Sequence, residues 1–292
     1  MWIALALIAA FASAGTSLLL KRAVGLAGVV VSTVAFRMVG GVLLAIASML
    51  AGPWPATTPT FWRAFAVVIP NEVGGMLCLS AALSVGDVSV VQPIMGFIPL
   101  LTMIGGALLF GEHPSALAML GILLVVLGLY FVGLRKGHSA LEPIRAFTNS
   151  RASWIALLAT LFWTVTSLTH KVGIAEVGPM PWATALTLGS AVALAVALPF
   201  VARSRDGVGL PREPGSWTWF VVLAGISFAV QQFGLHNALR RSQAGYVMAV
   251  VSTSILIATV IGVLVLREQG GSHRITGAML VSSGVALIAV FG

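Results

Sequence analysis

Residues 106–128 read GALLFGEHPSALAMLGILLVVLG: an apolar run, the polar turn Glu112-His113-Pro114-Ser115, and a second apolar run carrying Gly121 and Gly128. The pattern returns later in the chain. Gly106, Glu112, Gly121 and Gly128 recur as Gly262, Glu268, Gly277 and Gly284, every pair 156 positions apart with no gap. Leu79, Ala82 and Leu83 continue this register as Leu235, Ala238 and Leu239, while Thr16-Ser17-Leu18 and Lys21 reappear as Thr166-Ser167-Leu168 and Lys171 at a shift of 150. The connecting segments absorb the difference. The chain therefore reads as one unit written twice.

Composition says what solvent that unit faces. Of 292 residues, 59% are hydrophobic and 8% charged, and the mean hydropathy is +1.04, whereas soluble domains carry about 25% charged residues. A hydrocarbon core roughly 30 Å thick takes about 20 apolar residues per helix, which leaves room for about ten spans. Apolar runs bounded by Pro, Gly and charge place them at 2–20, 29–51, 61–84, 87–110, 114–134, 152–170, 180–201, 215–239, 243–266 and 272–291. The longest polar stretch, from Arg135 to Arg151, is the seam. It predicts a first five-helix repeat at 1–136, a connecting loop at 137–151 and a second five-helix repeat at 152–292.

Because five is odd, the second copy enters the membrane from the opposite side. The expected fold class is an all-α membrane protein of ten transmembrane helices arranged as two inverted five-helix repeats. Such repeats supply two equivalent packings, and exchanging them exposes a midplane site alternately to each side. The first span begins at Trp2 without a basic leader or a clear cleavage site, so it reads as retained rather than as a signal peptide.

Several function classes drop out. Cys78 is the only cysteine, which excludes an intrachain disulfide and a multi-cysteine metal site. The formal charge of +8 is scattered over short loops, without the basic stripe and interleaved aromatics of a nucleic-acid binder. No ligand spacing of a zinc or two-metal type is present, and no Lys-Ser/Thr follows the glycines as a phosphate loop requires. No cofactor and no metal are expected. Glycines 74, 75, 105, 106, 121, 128, 277 and 284 read instead as places where helices approach closely.

The segment from Gly105 to Glu112, followed by a polar turn and then Gly121 and Gly128, resembles the fourth-to-fifth helix signature of the drug/metabolite transporter superfamily, EamA type. Arg37 after Phe36 in the second helix is similar to that family's pattern as well. The second copy departs from it, with Arg267 before Glu268 where the first has Gly111. The resemblance implies a ten-helix basket whose central cavity is lined chiefly by helices 1, 3, 4, 6, 8 and 9. It implies a secondary active transporter, exporting or exchanging an amino acid or related amine, sometimes with protons, in the bacterial inner (plasma) membrane. It does not imply an enzyme. Family members keep both termini in the cytoplasm, but charge counting points the other way. Loops on the side of Met1 hold Arg63, Lys171, Arg240 and Arg241, and the remaining loops hold eleven basic residues, which the positive-inside rule makes cytoplasmic.

Glu72 is the only carboxylate well inside a span, where an unpaired charge costs at least about 2.5–3.5 kcal/mol. It is the candidate proton-coupling group and the candidate counter-ion for a substrate amine; its structural alternative is permanent pairing with Arg37 or with Gln231 and Gln232. Arg37 would hold a substrate carboxylate in a bidentate fork, or tie helix 2 to a neighbour. Asn71, Gln92, Gln231 and Gln232 can donate and accept, which suits a zwitterionic ligand and equally suits interhelical bonds. Trp163, in mid-helix, can stack on a substrate or cover a cation, or be core. Ser167 is one turn along, and Tyr246 offers a hydroxyl. The other tryptophans, Trp182 among them, read as interfacial anchors, and His236 and Asn237 as solvated at a helix end. Pro70, Pro93 and Pro99 free backbone carbonyls, as ligands or as kinks.

The expected partners are a small-molecule substrate, membrane lipids and protons. Two other classes stay open. A membrane-embedded enzyme acting on lipid-linked substrates would need an acid/base cluster at one face, for which Glu112-His113 is the nearest candidate. A non-transporting scaffold makes no demand for polar groups in mid-helix.

Overall fold

In lipid the backbone must satisfy its own polar groups, so an apolar chain of this kind folds as helices. A computed structural model of the chain describes residues 1–86, 88–133, 150–202, 215, 217–266 and 272–292. Among them are twelve helical segments and no strand: α1 (Trp2–Ala27), α2 (Val29–Ala51), α3 (Pro59–Val85), α4 (Val88–Met95), α5 (Ile98–Phe110), α6 (Ala116–Gly133), α7 (Arg151–Val177), α8 (Pro179–Ala202), α9 (Trp217–Leu239), α10 (Ala244–Ser252), α11 (Ser254–Leu266) and α12 (Ser272–Phe291). Each expected span has its counterpart. Seven are long and apolar enough to cross a membrane, and Ala116–Val132, Ala244–Ala258 and Ile275–Phe291 are shorter apolar helices.

Three differences from the expected spans have physical causes. Helix α1 runs past residue 20 to Ala27 because Lys21 and Arg22 are exposed and need no helix end to reach water. It turns into α2 through Gly28 at φ 79, a left-handed conformation. The fourth span is interrupted at Gly96-Phe97, between Pro93 and Pro99, where α5 restarts with a proline in its first turn. The ninth is interrupted at Thr253, 156 positions after Phe97. Most of the expected connecting loop 137–151, together with Arg267 and Glu268, lies outside the described residues.

Contacts divide the chain into two compact units, each drawing on both sides of that loop: Met1–Ile3, Pro70–Thr169 and Arg241–Gly292 in the first, Ala4–Ile69 and His170–Arg240 in the second. In the first unit α6 crosses α12 on glycines. A Cβ on Gly121 would lie 2.7 Å from the Gly284 carbonyl oxygen, and one on Gly128 would lie 2.7 Å from that of Gly277. Ile122, Val125, Leu129, Val281 and Ile288 close over this crossing. A second cluster joins Ala82 of α3, Val91, Ile94 and Met95 of α4, and Ala152, Ala156 and Ala159 of α7. In the second unit α2 packs on α8 and α9. A Cβ on Gly40 would stand 3.0 Å from the Gly225 carbonyl oxygen, and Phe36 meets Phe228 edge to face at 5.2 Å. Ser227 Oγ donates to the Ala12 carbonyl at 2.8 Å and ties α9 to α1.

Candidate functional site

The middle of α3 enters the first unit at Pro70, followed at once by Asn71 and Glu72, both half-buried. Pro70 lies inside the helix, so its missing N–H leaves the carbonyl one turn earlier without its helical donor. Gly74 and Gly75 come next. A Cβ on Gly74 would stand 3.0 Å from the Phe162 ring, and one on Gly75 would stand 2.8 Å from the Trp163 indole nitrogen. The glycine pair thus lets the Trp163 ring lie against the α3 backbone. Gly75 is three residues beyond Glu72 and shares its helix face.

Below Trp163 on α7, Thr160 Oγ1 donates to the Ala156 carbonyl at 2.9 Å and reaches the Ile94 carbonyl at 3.3 Å. The Met95 sulfur is 3.4 Å away. Ile94 O also accepts from Phe97 N at 3.1 Å, so these groups hold the break in the fourth span. The first unit thus contains a carboxylate and an amide on α3, an indole on α7 that rests on α3 about one turn beyond them, and an interrupted helix. Chemically that set suits a cation with a hydrogen-bonding group, through charge on Glu72 and the ring face of Trp163. Ser167 belongs to the same face of α7, yet it is buried and its hydroxyl donates to the Trp163 carbonyl at 2.7 Å. Gln92 is on α4; its side chain lies outside the described residues.

Tyr246 also belongs to the first unit, at one end of it. It is buried, its hydroxyl accepts from Ser115 N at 3.0 Å, and its ring stacks on Trp2 at 6.4 Å. Beside it Glu112 does the work of a helix cap: its two carboxylate oxygens accept from the Ala244 N–H at 3.2 and 3.1 Å, at the start of α10. Gly111 at φ 63 turns the chain to allow this, and Gly106 is a glycine because the Glu112 carboxylate occupies the place of a Cβ. Next to Glu112 the His113 backbone carbonyl accepts from Gln243 Nε2 at 3.3 Å.

Arg37, Gln231 and Gln232 fall in the second unit. Arg37 is 6% exposed, its Nη1 donates to Ser190 Oγ at 2.8 Å, and its guanidinium lies 5.3 Å from the Phe228 ring centroid and 5.8 Å from that of Phe36. Those contacts join α2, α8 and α9. Gln232 is buried and Gln231 half-buried.

Two residues placed at the water surface by their position near helix ends are buried instead. His236 is fully buried, with Nδ1 2.8 Å from the Gln232 carbonyl, and its ring lies 4.7 Å from that of His170. Trp182, expected as an interfacial anchor, is fully buried and donates from its indole to His170 Nδ1 at 3.1 Å. Gly173 makes the room, since a Cβ there would strike the Trp182 ring. An indole only donates and a carbonyl only accepts, so neutral His170 carries its proton on Nε2 and neutral His236 on Nδ1. Sequence reasoning missed His170, Ser190 and Thr160. Only Gly173, a small residue in mid-helix, signalled a large ring nearby.

No curated protein matches the chain. A crystal structure of a protein superposes on it with a TM-score of 0.77 at 16% identity, over 99% of this chain and 97% of the other, a likeness of fold alone. The model of the EamA-like transporter family matches residues 1–134 and 150–290. With apolar helices throughout and both halves of its sequence matched, this integral membrane protein belongs to the EamA-like transporter family, within the drug/metabolite transporter superfamily.

Proposed function

We propose that this chain is a secondary carrier, an exporter or exchanger, of a small polar metabolite such as an amino acid or related amine, working by alternating access around a central cavity in a bacterial inner membrane. The observation that carries the reading is Glu72: a half-buried carboxylate in the middle of a span, one turn from the glycine on which the Trp163 indole rests. A carboxylate is kept at such a depth at a cost of several kcal/mol, roughly, and its default explanation is function. Glu72 takes the substrate amine and the coupling proton in turn; Asn71, Gln92 and Trp163 complete the first unit's contribution, and Ser167 and Tyr246 shape it through their helices. Arg37, Gln231 and Gln232 are the second unit's own candidate substrate contacts.

Two inverted five-helix repeats, 1–136 and 152–292, are part of the same proposal. The glycine crossing supports it. A shift of 156 turns Gly121 into Gly277 and Gly128 into Gly284, and so exchanges the Gly121–Gly284 contact with the Gly128–Gly277 contact. A pair of contacts that the repeat maps onto each other is what a two-fold axis between α6 and α12 produces. The interruptions at Phe97 and Thr253 obey the same shift.

The test is ligand screening by thermal shift on the purified protein, followed by counterflow of the hits in proteoliposomes. Saturable accumulation of a labelled amine against unlabelled internal amine is expected. Product formation without flux would favour a membrane-embedded enzyme, and neither would leave a scaffold.

A further inference from the structure

A cleft of about 350 Å³ opens in the second unit, lined by Lys171, Ile174, Ala175 and Gly178 around the end of α7 and by Leu239 and Arg240 at the end of α9. Its walls are chemically divided. Ile174 and Leu239 are buried and apolar, whereas Lys171 is half-buried and Arg240 exposed. The two cations thus come from two helices and border one opening. Glu176, five residues after Lys171 on α7, is not part of the lining; its carboxylate accepts from the hydroxyl of Thr58.

That Thr58 contact also fixes the depth of the cleft. Thr58 caps α3, with Phe61 N donating to its hydroxyl at 3.1 Å, and so brings the start of α3 level with the end of α7. Trp62, on the first turn of α3, is 57% exposed. Exposed indoles at helix ends sit in the headgroup layer. By that preference Trp62 marks this end of α3 and α7 as the headgroup side.

The plain alternative is that the cations complement the negative carbonyl ends of α7 and α9. It accounts for Arg240, which directly follows α9. It does not account for Lys171, six residues before the end of α7, because the helix-end effect fades within the last turn. Nor does it call for an opening. The end of α8 nearest the cleft is its N-terminus, just after Gly178 at φ 82, which adds positive potential rather than cancelling it.

We propose that this cleft holds the phosphate of a membrane phospholipid, with Lys171 and Arg240 on its oxygens and the glycerol end against Ile174 and Leu239. A compact phosphate suits both cations, one as a point charge and one as a fork. The lining includes none of the proposed carrier residues, and the proposal stands whether or not they move an amine.

The experiment is native mass spectrometry of the detergent-purified full chain titrated with dioleoylphosphatidylglycerol, with phosphate-free dioleoylglycerol and with inorganic phosphate. Phosphatidylglycerol should bind the native protein and dioleoylglycerol should not. Lys171→Ala with Arg240→Ala should weaken phosphatidylglycerol about thirtyfold, roughly fivefold for each cation removed. Arg240→Gln alone, at an exposed helix end, guards against a misfolded double variant and should give the fivefold step. Inorganic phosphate that displaces the lipid at similar concentration would keep the phosphate site but assign it to a free anion. Equal binding of both lipids, or unchanged phosphatidylglycerol binding in the variants, would overturn the proposal.

Discussion

Gly121 and Gly284 stand backbone to backbone, so close that a Cβ on Gly284 would lie 2.5 Å from the Gly121 carbonyl oxygen and one on Gly121 would lie 2.7 Å from that of Gly284. The obstacle is main chain and cannot rotate away. Gly121→Ala should therefore push α6 off α12 and destabilise the protein by about 1–3 kcal/mol, the usual range for overpacking a tight contact. Trimming Ile288, whose Cγ1 is also near at 2.8 Å, should restore only part of that loss. Thermal melting in detergent reads both; a Gly121→Ala protein as stable as the parent would mean the helices cross more loosely than described.

Arg37 separates packing from binding. Its bond to Ser190 and its two aromatic neighbours make it a three-helix tie, and a lysine cannot spread its charge over a planar group that meets all three at once. Arg37→Lys should lower stability by about 1–3 kcal/mol, combining a charged hydrogen bond with a desolvated cation–π contact. A double-mutant cycle with Ser190→Ala should show coupling of about 1 kcal/mol or more. If the arginine instead clamps substrate, the variant will melt normally and lose the thermal shift produced by ligand.

What the sequence made legible was whatever depends on solvent. Ten apolar stretches announced ten helical regions, seven of them long and apolar enough to cross a membrane among the described residues, and of the glycines that looked like contact points all but Gly106, which makes room for the Glu112 carboxylate, meet side chains or backbone of other helices. What stayed hidden depends on which neighbour a helix has. His236 and Trp182 are near helix ends, where water is normally at hand, and were misplaced because burial there comes from His170 and Gly173 on another helix. Pro93 and Pro99 hinted at the interruption in the fourth span, but the one at Thr253 has no proline beside it and only the register of the repeat foretells it. Of the candidate site, Glu72 could be found because a lone carboxylate in an apolar run is conspicuous; the role of Glu112 as a cap for a distant helix could not.

Glu112 gives the cap a quantitative test. Glu112→Ala removes the acceptor for the Ala244 N–H and should cost about 1 kcal/mol, while Glu112→Gln keeps an oxygen, loses only the charge at the helix start, and should cost about 0.3–1 kcal/mol. The local signature is faster amide exchange over 243–252 in the alanine variant, with α12 unaffected. Equal exchange in all three proteins would show that the carboxylate contributes nothing to α10.

The last prediction concerns coupling. If Glu72 alternates between proton and amine, Glu72→Gln keeps the size and hydrogen-bonding of the side chain but fixes it in a neutral form. Flux driven by a pH gradient should fall by about tenfold or more, since a loss of roughly 1.4 kcal/mol in one differential interaction already gives that factor. Amine exchange at equal pH on both sides should persist, with a weaker affinity for the cation and a reduced dependence on external pH. Trp163→Leu, by contrast, removes the ring face without touching the proton, and should weaken the amine while leaving the ratio of gradient-driven to exchange flux unchanged. Gradient-driven uptake at the parental rate in Glu72→Gln would remove this carboxylate from the coupling step, whatever else lines the cavity.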